Sequence, residues 1–145
     1  MTTPQNPRLQ GGSDAMAQRT RIPRPTEAEL AILRVLWRHG PSTVRRVHDV
    51  LSAEKSTGYT TVLKLMQIMT EKGLLLRDES TRSHVYRPQV PAEKTQQQLV
   101  RDLLERAFEG SAQRLVMQAL STKQVTPEEL AQIRALLDKI ERRER

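Results

Sequence analysis

Residues 59–73 read YTTVLKLMQIMTEKG, and the way this stretch divides into two faces decides the fold. Val62, Leu65, Met66 and Met69 recur at i, i+3, i+4 and i+7, the spacing of one side of a helix. Thr60, Thr61, Lys64 and Gln67 fall on the opposite side. Gly73 supplies a C-terminal glycine. The spacing therefore predicts a helix from about Thr60 to Lys72, with its apolar side committed to a core and its polar side open to solvent or to a partner. Ser56, Thr57 and Gly58 form the turn that leads into it.

Two helices precede this one. Thr26-Glu27-Ala28-Glu29 fits a capping box, in which Thr26 takes a first-turn amide and Glu29 reaches back. Leu30, Leu33 and Trp37 follow at helical spacing, with Ile32 and Leu36 beside them, until Gly40-Pro41 ends the helix; its span is about 27–38. Ser42 or Thr43 caps the second helix. Val44, Val47, Val50 and Leu51 form its stripe as far as Ala53, and Arg45, Arg46 and Asp49 lie off it. After Gly73, LLLRDESTRSHVYRP suits a β-hairpin of roughly 74–79 and 83–87. Leu74, Leu76 and Val85 are its strand residues, with a polar turn between. Three helices followed by a hairpin make a winged helix.

The remainder is helical. Leu99, Leu103 and Ala107, with Val100, Leu104 and Phe108 adjacent, mark a helix over 92–109. A shorter helix covers about 112–120. Thr126-Pro127-Glu128-Glu129 opens a last helix carrying Leu130, Ile133, Leu136, Leu137 and Ile140. Leu99, Leu103, Leu104, Phe108, Leu130, Ile133, Leu137 and Ile140 offer more apolar face than one helix pair hides. They pair with a second chain or fold back on their own winged helix. The expected class is mainly α (α+β), in three segments: a disordered tail over 1–25, a winged helix over 26–90 and a helical dimerisation domain over 91–145.

Charge narrows the partner. The chain of 145 residues carries 24 Lys and Arg against 17 Asp and Glu, a net charge of +7. The surplus is +3 in residues 1–25, +3 in 26–90 and only +1 in 91–145. Such a balance suits a polyanion. The major groove, about 12 Å wide, admits one α-helix, and the helix over 60–72 is the one shaped for it. Threonine methyls and hydroxyls suit base edges, and Lys64 reaches guanine or phosphate. Read without a partner, the same positions are ordinary solvated ones. Tyr59 either bonds phosphate or packs against the first helix. Arg45 and the wing residues Arg77, Arg82 and Ser83 complete the candidate DNA contacts, with Arg82 at the tip of the hairpin. His84 and Arg87 add to the wing's polar character, and Tyr86 is a packing residue.

Several chemistries find no residues. There is no cysteine, hence no disulfide or thiolate site. His39, His48 and His84 are scattered over three elements, and adjacent His48 and Asp49 are expected on different sides of a helix. No phosphate loop or catalytic motif is present. No cofactor, no metal, no enzymatic activity and no membrane insertion are expected, and the cytoplasm is the default location. A winged helix that binds protein instead of DNA is the rival reading.

The stretches PTEAELAILRVLW, STVRRVHDVL, GYTTVLKLMQIMTEKGLL and SHVYRP, with the tail FEGSAQRLVMQAL and TPEELAQIRALLDKI, resemble the BlaI/MecI/CopY family of penicillinase-type repressors over about 26–140. The resemblance implies a homodimeric repressor on an inverted-repeat operator. It also implies release when a membrane metallopeptidase sensor cuts the C-terminal domain. The family's Asn–Phe scissile step corresponds here to Gln118-Ala119. The copper-responsive branch's cysteine hook has no counterpart.

Overall fold

The computed structural model describes residues 22–144; the tail expected over 1–25 lies almost wholly outside them. The elements are α1 (Glu27–His39), α2 (Val44–Glu54), α3 (Tyr59–Lys72), β1 (Leu75–Asp78), β2 (Val85–Pro88), α4 (Ala92–Ala107), α5 (Ala112–Thr122) and α6 (Pro127–Glu144). The chain is a winged helix followed by three further helices. It divides into two compact units between Leu99 and Val100, so the boundary falls within α4 rather than at residue 90. The first turns of α4 go with the winged helix because Thr95 is buried and Gln98 donates to the Ile22 carbonyl at 2.6 Å.

In the first unit, α1 packs on α2 and α3, α3 on β1, and β2 on α1. Their meeting faces form one core: Ile32, Leu33, Val35, Leu36, Val44, Val47, Val62, Met66, Met69, Leu74, Leu75 and Tyr86. Each side chain of this size contributes about 1.5–3 kcal/mol on leaving water. The core departs from the expected rows at two places. In α1, Val35 is buried while Trp37 is only half-buried against the core, since the packed face turns toward the 32/33/35/36 side. In the wing, Leu74 and Leu75 are buried and Leu76 faces out. Gly73 adopts φ 87° as the helix cap, and the Leu74 N–H bonds to the Met69 carbonyl at 2.8 Å. Leu74 thus belongs to the cap of α3, so strand alternation starts one residue late, and a one-residue slip exchanges the faces.

The strands pair antiparallel, with Leu75 opposite Pro88 and Arg77 opposite Tyr86. Tyr86 also exchanges both backbone bonds with Ser42, at 3.0 and 2.8 Å. Ser42 therefore serves as a one-residue third strand, and the cap of α2 is Thr43, whose hydroxyl accepts from the Arg46 N–H at 3.2 Å.

The second unit differs in kind. No side chain from Val100 to Glu144 is buried. Leu103, Leu137 and Ile140 are exposed, as are Val100, Val116, Met117 and Leu136; Leu104, Phe108, Leu130 and Ile133 are half-buried, as is Leu99 at the end of the first unit.

Candidate nucleic-acid interface

The capping box that opens α1 fixes the first wall of the site indirectly. Thr26 Oγ1 accepts from the Glu29 N–H at 3.2 Å, and Glu29 Oε1 accepts from the Thr26 N–H at 2.9 Å. The Glu29 carboxylate, almost wholly buried, also receives Lys72 Nζ at 3.1 and 3.0 Å. Burial pushes this carboxyl up, but the bonds from Thr26 and Lys72 outweigh it and hold it below the ordinary value. The C-terminal end of α3 is thereby tied to the start of α1. No local spacing in the sequence joins Lys72 to a carboxylate 43 residues earlier.

The other end of α3 opens on a groove of about 560 Å³. Thr43 and Arg45 from α2, Tyr59 and Leu63 from α3, and Arg82, Ser83 and His84 from the wing form its walls. Gly58 caps α3 without a side-chain bond, so the first-turn amides of that helix keep their capacity to meet an anion. The sequence candidates Arg45, Tyr59, Arg82 and Ser83 thus come together. Thr60, Thr61, Lys64 and Gln67 are exposed along α3 but do not line the groove.

Arg77 stands apart. It lines a separate depression with Pro41, Leu76, Asp78, Val85 and Arg87. The Tyr86 hydroxyl, and after it the Glu79 carboxylate, hold its guanidinium above the ordinary value. Next to it, bonds from Ser80, including the Ser80 N–H at 2.9 Å, hold the Asp78 carboxyl below its ordinary value. The wing therefore carries one arginine in the groove and another engaged within the hairpin.

Tyr59 is 46% exposed, and its ring meets His48 of α2 rather than α1, edge-on with centroids 5.7 Å apart. His48 also lies with Nδ1 3.4 Å from Asp49 Oδ1, so the two adjacent side chains do meet, contrary to the helical-face expectation. Among the described residues no group of His, Asp and Glu is placed to hold a metal ion. None of the described helices is long and apolar enough to cross a membrane.

An exposed helix face beside a cationic wing, carried on a packed three-helix core, defines a winged-helix protein. The chain belongs to the penicillinase repressor family, whose model matches residues 25–139. It is 40% identical over 74 residues to the transcriptional regulator BlaI of Mycobacterium tuberculosis, covering 50% of this chain and 51% of that one. The alignment thus spans about half the length of that relative. It is 23% identical over 125 residues to the penicillinase repressor of Bacillus licheniformis, covering 86% and 98% of the two chains. Among solved structures, the B. licheniformis BlaI monomeric form in complex with the blaP half-operator matches with a TM-score of 0.46 and 26% identity. The match covers 51% of this chain and 90% of that one.

Proposed function

We propose that two copies of this chain bind an inverted repeat in double-stranded DNA and repress the adjoining promoter from the cytoplasm. In this reading α3 enters the major groove and presents Thr60, Thr61, Lys64 and Gln67 to base edges. Arg45, Tyr59, Arg82 and Ser83 hold the flanking phosphates, which positions the helix without reading sequence. The single observation that carries it is the groove joining the start of α3 to the wing, next to a helix face that the fold leaves exposed.

The unburied apolar side chains of α4, α5 and α6 supply the pairing surface in this reading. Two-fold readers need their recognition helices about 34–36 Å apart, and a shared tail sets that spacing. Release by a membrane metallopeptidase sensor accords with membership of the family. The Gln118-Ala119 step lies inside α5 with both residues exposed, so a protease would have to unwind that helix to reach the bond.

The test is selection of duplexes from a random-sequence pool by the full chain, followed by titration over a salt series. A two-fold symmetric consensus, and affinity that falls steeply with salt, are expected. Enrichment of no sequence would instead leave a winged helix that docks protein.

A further inference from the structure

The turn between α2 and α3 aims the first residues of the recognition helix, yet Gly58 provides no side-chain cap there. His48, from the neighbouring helix, instead holds the backbone that leads into α3. Its Nε2 lies 2.8 Å from the Thr57 carbonyl oxygen. A carbonyl only accepts, so Nε2 carries the proton and donates. Ser52, one helical turn further along α2, stands 3.1 Å from the same nitrogen, and its hydroxyl donates to the same carbonyl at 3.4 Å. On the other side of the ring, Nδ1 faces Asp49 Oδ1 at 3.4 Å. The imidazole then meets the Tyr59 ring at an interplanar angle of 74°, the edge-to-face arrangement that aromatic pairs prefer. One side chain thus holds both the backbone before α3 and the first residue of α3, whose ring walls the groove.

We infer that His48 is a positioning residue for sequence readout: it fixes the entry of α3 and the orientation of Tyr59 without touching DNA itself. The inference rests on the reading that α3 and its groove engage DNA. His48 takes no part in the apolar core, so its loss leaves the fold standing. What changes is the precision with which the helix start is held, and a site loosened in this way loses discrimination before it loses non-specific attraction.

The experiment uses the full chain and two probes: a duplex enriched by the wild-type protein from a random pool, and a scrambled duplex of equal length. His48→Ala is expected to weaken the enriched duplex about fivefold, the scale of one net hydrogen bond. The scrambled duplex should weaken by less than about twofold, because its binding rests on phosphate charge. His48→Gln keeps an amide donor for the Thr57 carbonyl and should recover most of the loss. His48→Ala added to Tyr59→Ala should weaken binding by less than the product of the two single losses, because part of what His48 does passes through that ring. Without DNA, amide exchange in His48→Ala should quicken at Val62, whose N–H bonds the Gly58 carbonyl, and at the bonded amides next to it, and stay unchanged in α1. Losses that multiply in the double variant, or that fall equally on both probes, would overturn the readout role. Unchanged exchange would overturn the positioning itself. If the wild-type chain enriches no sequence, the DNA reading fails, and the exchange measurement still decides whether His48 orders the turn.

Discussion

The two units of this chain have equally regular apolar stripes and opposite fates. In the winged helix the stripes of α1, α2 and α3 converge with Leu74, Leu75 and Tyr86 on one core. From Val100 onward no side chain is buried, and Leu103, Met117, Leu136 and Leu137 remain at least half exposed. Helical periodicity says which face seeks burial, not which chain supplies the cover. Three helices and a hairpin can close on themselves; the three helices of the tail leave their apolar faces open. Helical stability in proteins comes mainly from packing an apolar face, and in the proposed reading a second copy of the chain covers these faces.

The contrast breaks if core and tail substitutions respond alike. Leu36→Ala, at a position only 1% exposed, should cost about 2–5 kcal/mol of unfolding free energy. Because its cover comes from its own chain, that loss should be the same at every protein concentration. Leu137→Asp should behave differently. At 55% exposure in the single chain the aspartate is solvated and harmless. In a paired seam it meets apolar surface, at a cost of several kcal/mol. Denaturant titrations across a hundredfold range of concentration, with sedimentation for mass, separate the two. A monomeric wild-type chain, or a Leu137→Asp variant that stays dimeric, would show that the tail faces cover something else.

Removing the tail sharpens the comparison next. A chain ending at Leu99 keeps the buried Thr95 and the Gln98 bond to Ile22, which a cut at residue 91 would discard. It should fold as a monomer and bind a half-site as the full chain does. On the palindrome it should lose a factor of about 10², the gain that tethering gives the second half-site. Equal palindrome affinity for the two chains would locate dimerisation in the winged helix.

How far these features could be read beforehand depends on the range of the interaction. The capping box at Thr26, the glycine caps and the faces of α3 were legible because each is settled within a few residues. The buried face of the wing lies one position from where strand alternation puts it, because Leu74 completes the cap of α3 before the strand begins. The Ser42–Tyr86 pairing and the Glu29–Lys72 bridge join residues 44 and 43 apart in sequence, and no local spacing encodes them. The gathering of Arg45, Tyr59 and Arg82 around one groove, with Arg77 left out of it, likewise follows from the packing of α2, α3 and the wing.

That bridge supplies a smaller, pH-dependent effect within the winged helix. Lys72→Ala leaves the Glu29 carboxylate buried with only its Thr26 bonds, at a cost of about 1–3 kcal/mol near neutrality. In the wild-type fold the Glu29 carboxyl lies below its ordinary value of 4.5. Its stabilising contribution is therefore complete above that value and is lost as pH falls through the lower, folded one. In Lys72→Ala burial is opposed by less, the folded value rises, and the acid limb of the stability profile should move to higher pH. Thermal melting from pH 7 to pH 3 checks this. An acid limb left in place would mean that another carboxylate governs acid unfolding.

The smallest effect expected separates two arginines of the wing. Arg82 lines the groove with Arg45 and Tyr59. Arg77 pairs with Glu79 and is held by the Tyr86 hydroxyl, in a depression outside that groove. A cation that neutralises one phosphate contributes about 0.9 to the slope of log affinity against log salt. Arg82→Ala should therefore flatten the slope by about one unit and weaken enriched and scrambled duplexes by similar factors. Arg77→Ala should change the slope by well under half of that, because its charge is already partnered in the free protein and would have to give up Glu79 to serve a phosphate. Titrations from low to moderate salt, on one duplex with both variants, make the comparison directly. Equal flattening by the two would mean that the strand face of the wing, and not its groove side, lies against the DNA backbone. A loss confined to the enriched duplex in Arg82→Ala would instead make Arg82 a reader of bases.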